Sequence, residues 1–356
     1  MTRIRQVMNA LSNFKGRGLD RRLFSASLAS LAIVASACGS STAANTGGTK
    51  VARSVKPAVT TTFPLALTGS EASWQLENPL SRMVLLPAGS GSLAILGGLT
   101  AADTSASGIF RLKLSDGSLT AIGTLPAAVH DAAGAVIGSN YLVFGGGSVN
   151  TVASVETAPV AGGNGKVISN LPQPRSDCTA TTVGGEAIIV GGYNGSTADA
   201  SVLATRDALS YKSVSSLKVP VRYAALATLG DSVYVFGGLE VGGPGSGQPS
   251  DAVQRIDLAT GSTTVVGSLP IPLEGAMAFV LNGHIYLAGG DTGSGSNLKS
   301  NAAVWTFQSK AGFKVVATLP FAVSNAGVAV TGGAAWIVGG EHNGRTTAVV
   351  QTLKAG

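Results

Sequence analysis

A short apolar run closed by two glycines occurs six times in this 356-residue chain. The copies are LAILGG (93–98), YLVFGG (141–146), AIIVGG (187–192), VYVFGG (233–238), IYLAGG (285–290) and AWIVGG (335–340). Their first glycines are 97, 145, 191, 237, 289 and 339, so the spacings are 48, 46, 46, 52 and 50 residues. Self-similarity at this period, in units made of short strands, means a chain of like modules that bury their faces against one another. Five doublets also follow a leucine by 20 residues: Leu125, Leu171, Leu217, Leu269 and Leu319, four of them in Leu-Pro. That constancy predicts a fixed strand register within each module.

Hairpin turns stand just ahead of the doublet strands at Gly138-Ser139, Gly184-Gly185, Gly230-Asp231, Asn282-Gly283 and Gly332-Gly333. These pairs supply the positive φ that two-residue hairpins demand. A second pair of runs follows each polar loop, as at 108–115 and 118–124 joined by Asp116-Gly117. Four strands per unit result. No long stretch has a 3.6-residue apolar period, so the chain is all-β. The doublet has a steric explanation: where modules crowd together, a residue without Cβ lets the backbones approach.

The order of apolar run, Gly-Gly, polar loop, strand, turn, strand and Leu-Pro resembles the kelch repeat over residues 64–356. The family's aromatic is matched by Trp74, Tyr211 and Phe313, six residues before Leu80, Leu217 and Leu319, whereas Leu119, Gly165 and Thr263 occupy that place elsewhere. The resemblance implies a six-bladed kelch-type β-propeller. Residues 341–356 supply one more strand (346–354) but not two. The run 72–80, with Trp74, is therefore expected to join the last blade as its fourth strand and close the circle from the N-terminus.

The N-terminal part reads as an address. A basic stretch (Arg3, Arg5, Lys15, Arg17, Arg21, Arg22), an apolar stretch (23–34) and small residues form a signal peptide over 1–37. Asp20-Arg21-Arg22-Leu23-Phe24 resembles the twin-arginine export signal, with Asp20 and Ser25 departing from the pattern; export as an unfolded chain is the alternative. Ala35-Ser36-Ala37-Cys38-Gly39 resembles a lipobox with Ala35 in the usual leucine position, and plain cleavage after Ala37 is the alternative. The expected organisation is signal peptide (1–37), lipidated flexible spacer (38–62) and propeller (63–356). Lipid on Cys38 makes the membrane a partner and the location extracytoplasmic.

Of the net charge of +6, the signal carries +5. The remainder lacks the basic stripe that nucleic-acid binding needs. Once Cys38 is modified, Cys178 is the one cysteine left, so an intramolecular disulfide is excluded. Cys178 reads as a small buried side chain, although some kelch-fold relatives are copper oxidases with a Tyr-Cys crosslink, for which Cys178 and Tyr193 match by residue type alone.

Fifteen residues before each doublet stand Arg82, His130, Ser176, Arg222, Glu274 and Ser324. The kelch resemblance puts these at the mouth of the central channel, where they either solvate the entrance and lock blades or bind a ligand. Arginine offers a bidentate fork to a carboxylate, and hydroxyls complete the hydrogen bonds to a sugar. No metal or cofactor is expected, with His130, His284 and His342 as the only histidines. The Gly-rich loops 239–250 and 291–301 lack a phosphate-binding ending and read as mobile surface loops. The expected function is a membrane-anchored binding module for a protein, glycan or envelope component. The alternatives are a mutarotase or epimerase-like enzyme acting on an acidic sugar, with Glu274 as acid-base group and Arg222 as anchor, as in the six-bladed kelch mutarotase of sialic acid, and a purely structural envelope protein.

Overall fold

The structure, a computed structural model, describes Phe63 and residues 66–243 and 246–356. Arg21, Arg22, Cys38 and the 38–62 spacer lie outside the described residues. Six four-stranded antiparallel sheets follow one another as blades. Blade 1 consists of Val84–Pro87, Ser92–Leu96, Gly108–Lys113 and Leu119–Thr124. Blade 2 is Ala133–Ile137, Asn140–Phe144, Ser154–Pro159 and Lys166–Asn170. Blade 3 is Thr179–Val183, Glu186–Val190, Ser201–Thr205 and Lys212–Ser216. Blade 4 is Ala225–Leu229, Ser232–Phe236, Ala252–Asp257 and Ser262–Ser268. Blade 5 is Met277–Leu281, His284–Ala288, Ala303–Gln308 and Gly312–Thr318. Blade 6 takes Gly327–Thr331, Ala334–Val338 and Val350–Ala355 from the C-terminal end and Leu67–Glu71 from the N-terminal end.

First strands touch their neighbours in order, and blade 6 returns to blade 1. The fold is a six-bladed β-propeller closed by an N-terminal strand. The closing strand lies earlier than expected: Leu67–Glu71 pairs with Val350–Ala355, not residues 72–80. Residues 72–80 instead cross the edge of blade 6, with Ala72, Leu76 and Leu80 donating to Val350, Ala348 and Thr347. Trp74 therefore stacks on Trp336 at 6.1 Å and does not serve as a strand aromatic. Leu76, buried, takes the place of the repeat leucines, six residues before Arg82 as Leu125 is six before Asp131. Leu76 stands 21 residues before Gly97, one more than in the other units, because the first hairpin of blade 1 carries a longer turn (88–91) than the two-residue turns elsewhere.

The hydrophobic core is divided into six, one cluster at each blade-blade contact. Second strands face two such clusters at once. In blade 3, Ala187 and Ile189 pack toward blade 2, while Ile188 and Val190 pack toward blade 4. Burial on both faces explains why these strands read as unbroken apolar runs instead of alternating ones. Neighbouring innermost strands approach closely enough to require glycine at two places: a Cβ on Gly134 would strike Val84, and one on Gly327 would strike Leu85.

The doublets follow the same logic. Each first glycine has a left-handed φ of 56–65°. A Cβ at Gly191 would lie 2.6 Å from the Val221 carbonyl, and equivalent carbonyls crowd the other five. Each second glycine donates its N–H to that same carbonyl, so the doublet is the seam between neighbouring blades. Among the described residues, no helix is long and apolar enough to cross a membrane.

A chain beginning at Ala72 loses the Leu67–Glu71 ladder and the burial of Leu67. This is expected to cost about 4 kcal/mol, read as a fall in Tm of about 8 °C or more. An unchanged melting curve would show that the ring does not depend on this strand.

Candidate functional site

Each connector between blades ends, just before the innermost strand, in a residue with left-handed backbone: Arg82, Asp131, Asp177, Tyr223, Gly275 and Asn325, with φ between 50° and 60°. The N–H of each donates to the carbonyl of its counterpart in the preceding blade, from Asp131 to Arg82, Asp177 to Asp131, and so on to Arg82 with Asn325. All six bonds measure 2.7–3.1 Å. They form a closed hydrogen-bonded circle around the axis, at the entrance of a channel with a cavity volume of about 270 Å³.

This hexad lies one residue beyond the expected ring in five of six blades. Arg82 belongs to it; His130, Ser176, Arg222, Glu274 and Ser324 immediately precede it and bridge to Gly147, Tyr193, Leu239, Asp291 and Glu341 after the doublets. Ser81, opposite Leu99, is their counterpart in blade 1. The longer hairpin of blade 1 makes a count back from its doublet come out at 15 residues instead of 14. Of the expected residues only Arg82 lines the channel cavity; the other five sit in the layer behind the hexad.

Arg82 is the hub. Its guanidinium meets Glu341 through Nε (2.5 Å) and Nη2 (3.1 Å), and its Nη1 meets Asp131 (3.2 Å) and the Tyr223 hydroxyl (2.8 Å). Ser81 and Asn325 also donate to Glu341. Burial by itself would raise the Glu341 carboxyl, but the Arg82 bonds hold it below its ordinary value. Arg222 lies against the rings of Tyr193 and Tyr223, each centroid 4.6 Å from the guanidinium carbon. Its Nη2 reaches Asp177 (2.7 Å) and the Tyr223 hydroxyl (2.9 Å). Cation–π contact with the two rings restrains the guanidinium.

The carboxyl groups differ in kind. Burial and the neighbouring Asp131 push Asp177 up to about 7, against the pull of Arg222. Burial and Asp291 push Glu274 up to about 7, opposed by Arg222 and Arg82. Asp291 is raised by burial while accepting from Ser324 (2.6 Å) and Ser300 (2.7 Å). Burial keeps the Tyr223 hydroxyl protonated by raising it well above its ordinary value. His130 joins Ser105 (2.9 Å) through Nδ1 and faces Asp131 at 3.5 Å through Nε2. Ser176 donates to Asp177 at 3.0 Å. Glu274 is only 9 % exposed; its backbone pairs with Asp291, and its side chain makes no hydrogen bond with the described residues.

Sequence reasoning missed Asp131, Asp177, Tyr223 and Asn325 of the hexad, and Asp291 and Glu341 behind it. One signal was available: Asp131, Asp177, Gly275 and Asn325 share a column, and these residue types are the ones that tolerate left-handed backbone. Cys178 packs in the cluster between blades 2 and 3, and burial pushes its thiol up to about 12. Tyr193 is engaged with Arg222, and no group of three metal-ligating side chains occurs among the described residues. The 291–301 loop has regular pairing of its own. Asp291–Thr292 pairs with Lys299–Ser300, and Ser300 exchanges hydrogen bonds with Asn343 of the blade 6 loop.

The geometry defines a β-propeller with a polar axial mouth. No protein-family model matches the chain, and no curated protein sequence does. A solved structure entitled "Structure of YjhT" is similar in fold, with a TM-score of 0.66 at 16 % identity, covering 78 % of this chain and 96 % of that one.

Replacing Arg82 by Met leaves the buried Glu341 without its cation. The expected loss is about 3 kcal/mol at pH 7, the lower end for a buried pair because Arg82 is partly exposed. Glu341 takes up a proton once unpaired, so the deficit measured by urea unfolding should shrink as the pH falls below the ordinary carboxylate range.

Proposed function

We propose that this propeller is a kelch-type ligand-binding module, exported and held at the extracytoplasmic membrane surface by lipid on Cys38, and that its ligand is a hydroxylated glycan seated in the axial mouth. The signal-like and lipobox-like segments support the location. Glu274 carries the ligand reading: a largely buried residue just behind the channel entrance, whose carboxyl group has no hydrogen-bond donor among the described residues, is a vacant acceptor. The nearby Arg222 has Nη2 committed to Asp177 and the Tyr223 hydroxyl.

The charge balance narrows the ligand. Five carboxyl groups (Asp131, Asp177, Glu274, Asp291, Glu341) face two guanidinium groups, and both of these are already paired with acids. A carboxylate ligand would add a further negative charge beside these acids, although Nε of Arg222 has no hydrogen-bond partner among the described residues. Neutral or amino sugars, whose hydroxyl and ammonium groups donate, suit the mouth better. The mutarotase-like reading rests on a different observation: Glu274 and Asp177, both shifted to about 7, are matched to proton exchange near neutrality.

Saturation-transfer NMR with neutral hexoses, amino sugars and hexuronic acids at pH 8 tests the reading. Contact with neutral or amino sugars is expected, and Glu274→Gln should weaken it at least tenfold, about 1.4 kcal/mol. Preference for the uronic acids, or contact with no sugar, would overturn the ligand class. The same spectra report anomer exchange, and acceleration by the wild-type chain that is absent in Glu274→Gln would make the protein an enzyme.

A further inference from the structure

The third strands share a β-bulge position at which the blades differ in residue type. It is occupied by Phe110, Glu156, Leu203, Gln254 and Trp305 in blades 1 to 5, each directly after the bulge, and by Gln351 in blade 6. The two glutamines do the same work. Gln254 accepts from the N–H groups of Lys218 (2.8 Å) and Val219 (3.0 Å) and donates to the Val219 carbonyl (2.8 Å). Gln351 accepts from the Phe321 N–H (2.8 Å) and donates to its carbonyl (2.9 Å). Val219 and Phe321 stand two residues after the repeat leucines Leu217 and Leu319. Each glutamine amide therefore clasps the connector that enters its blade.

Ala127, two residues after Leu125, is the corresponding connector residue for blade 2, and Glu156 is the side chain opposite it. Glu156 is 1 % exposed, and neither carboxylate oxygen makes a hydrogen bond of acceptable geometry. An ionised carboxylate can accept from the Ala127 N–H but repels the Ala127 carbonyl. A neutral carboxyl group donates through O–H and accepts through C=O, which reproduces the amide clasp. We infer that Glu156 is a proton-operated clasp, holding the connector that delivers His130 and Asp131 to the channel mouth when protonated and releasing it when ionised.

The electrostatic surroundings agree. Across the ladders Glu156 faces Val143 and Val167. The titratable and charged groups of the adjoining elements are Tyr141 on the second strand, Lys166 on the fourth, Arg111 of blade 1 bonded to the Val160 carbonyl, Arg175 bonded to Asp199, and His130 at the connector's end. None acts on Glu156; burial pushes it from 4.5 up to about 7, opposed only by the Ala127 N–H. Because the folded value lies above the unfolded one, the clasp's contribution is complete below about pH 4.5 and is lost as pH rises through about 7. The clasp stands whether or not the mouth binds a sugar.

The test compares the full chain with Glu156→Gln and Gln254→Glu at pH 5 and pH 8.5. Glu156→Gln should match wild type in Tm at pH 5 and exceed it by about 2 °C or more at pH 8.5. Gln254→Glu should acquire the opposite defect, melting normally at pH 5 and earlier at pH 8.5. Hydrogen exchange, corrected for intrinsic rates, should show residues 125–131 opening more at the higher pH in wild type but not in Glu156→Gln. Since Asp177 and Glu274 titrate in the same window, the variant-to-wild-type difference is the reading. A Tm difference that is the same at both pH values, or exchange at 125–131 with no pH dependence beyond that of Glu156→Gln, would overturn the clasp.

Discussion

Everything in this molecule is organised by the contact between neighbouring blades close to the axis. Two belts of backbone hydrogen bonds run across those contacts, one from the second glycine of each doublet and one around the hexad Arg82, Asp131, Asp177, Tyr223, Gly275 and Asn325. Both belts require left-handed backbone, which glycine adopts freely and Asp or Asn tolerates. Outward from the axis the contact changes character, and six separate apolar clusters take over from hydrogen bonds. Stability is thus spread over six similar interfaces, and no interface is free because Leu67–Glu71 completes the last blade.

The same geometry creates the mouth. Six connectors must end at the axis, so six side chains are forced together there whatever their chemistry. This chain places acids beside two arginines, and the arginines neutralise some of them while the Glu274 carboxyl group has no donor among the described residues. Two outcomes follow from one crowding. Glu341, bonded to Arg82, is held ionised, whereas Asp177 and Glu274 are pushed toward neutrality by burial and by like charge. Glu156 shows the same burial effect away from the mouth, at a seam where glutamine serves elsewhere.

Fold class was legible because its determinants are local and repeated. A doublet that recurs every 46–52 residues, a leucine at constant distance and hairpin turns with positive φ each report a backbone requirement that any copy must meet. The hexad was legible only to within one residue. The count back from the doublet passes through the first hairpin, and the longer turn of blade 1 shifted Arg82 relative to the other five units. Trp74 misled for a related reason: an aromatic near the start of an apolar run looks like a strand residue, yet its ring was needed against Trp336 at the closing seam.

By itself, the sequence determined that the chain is all-β, that it is built of six units, and that its ends must meet to finish the last of them. Strand periodicity, glycine and turn chemistry act over a few residues, so they are written in the order of the chain. Tertiary structure alone decided which side chains share the mouth and what charge each carries. Arg82 and Glu341 stand 259 positions apart, and the burial and neighbours that set a carboxyl group's proton affinity exist only after the ring has closed.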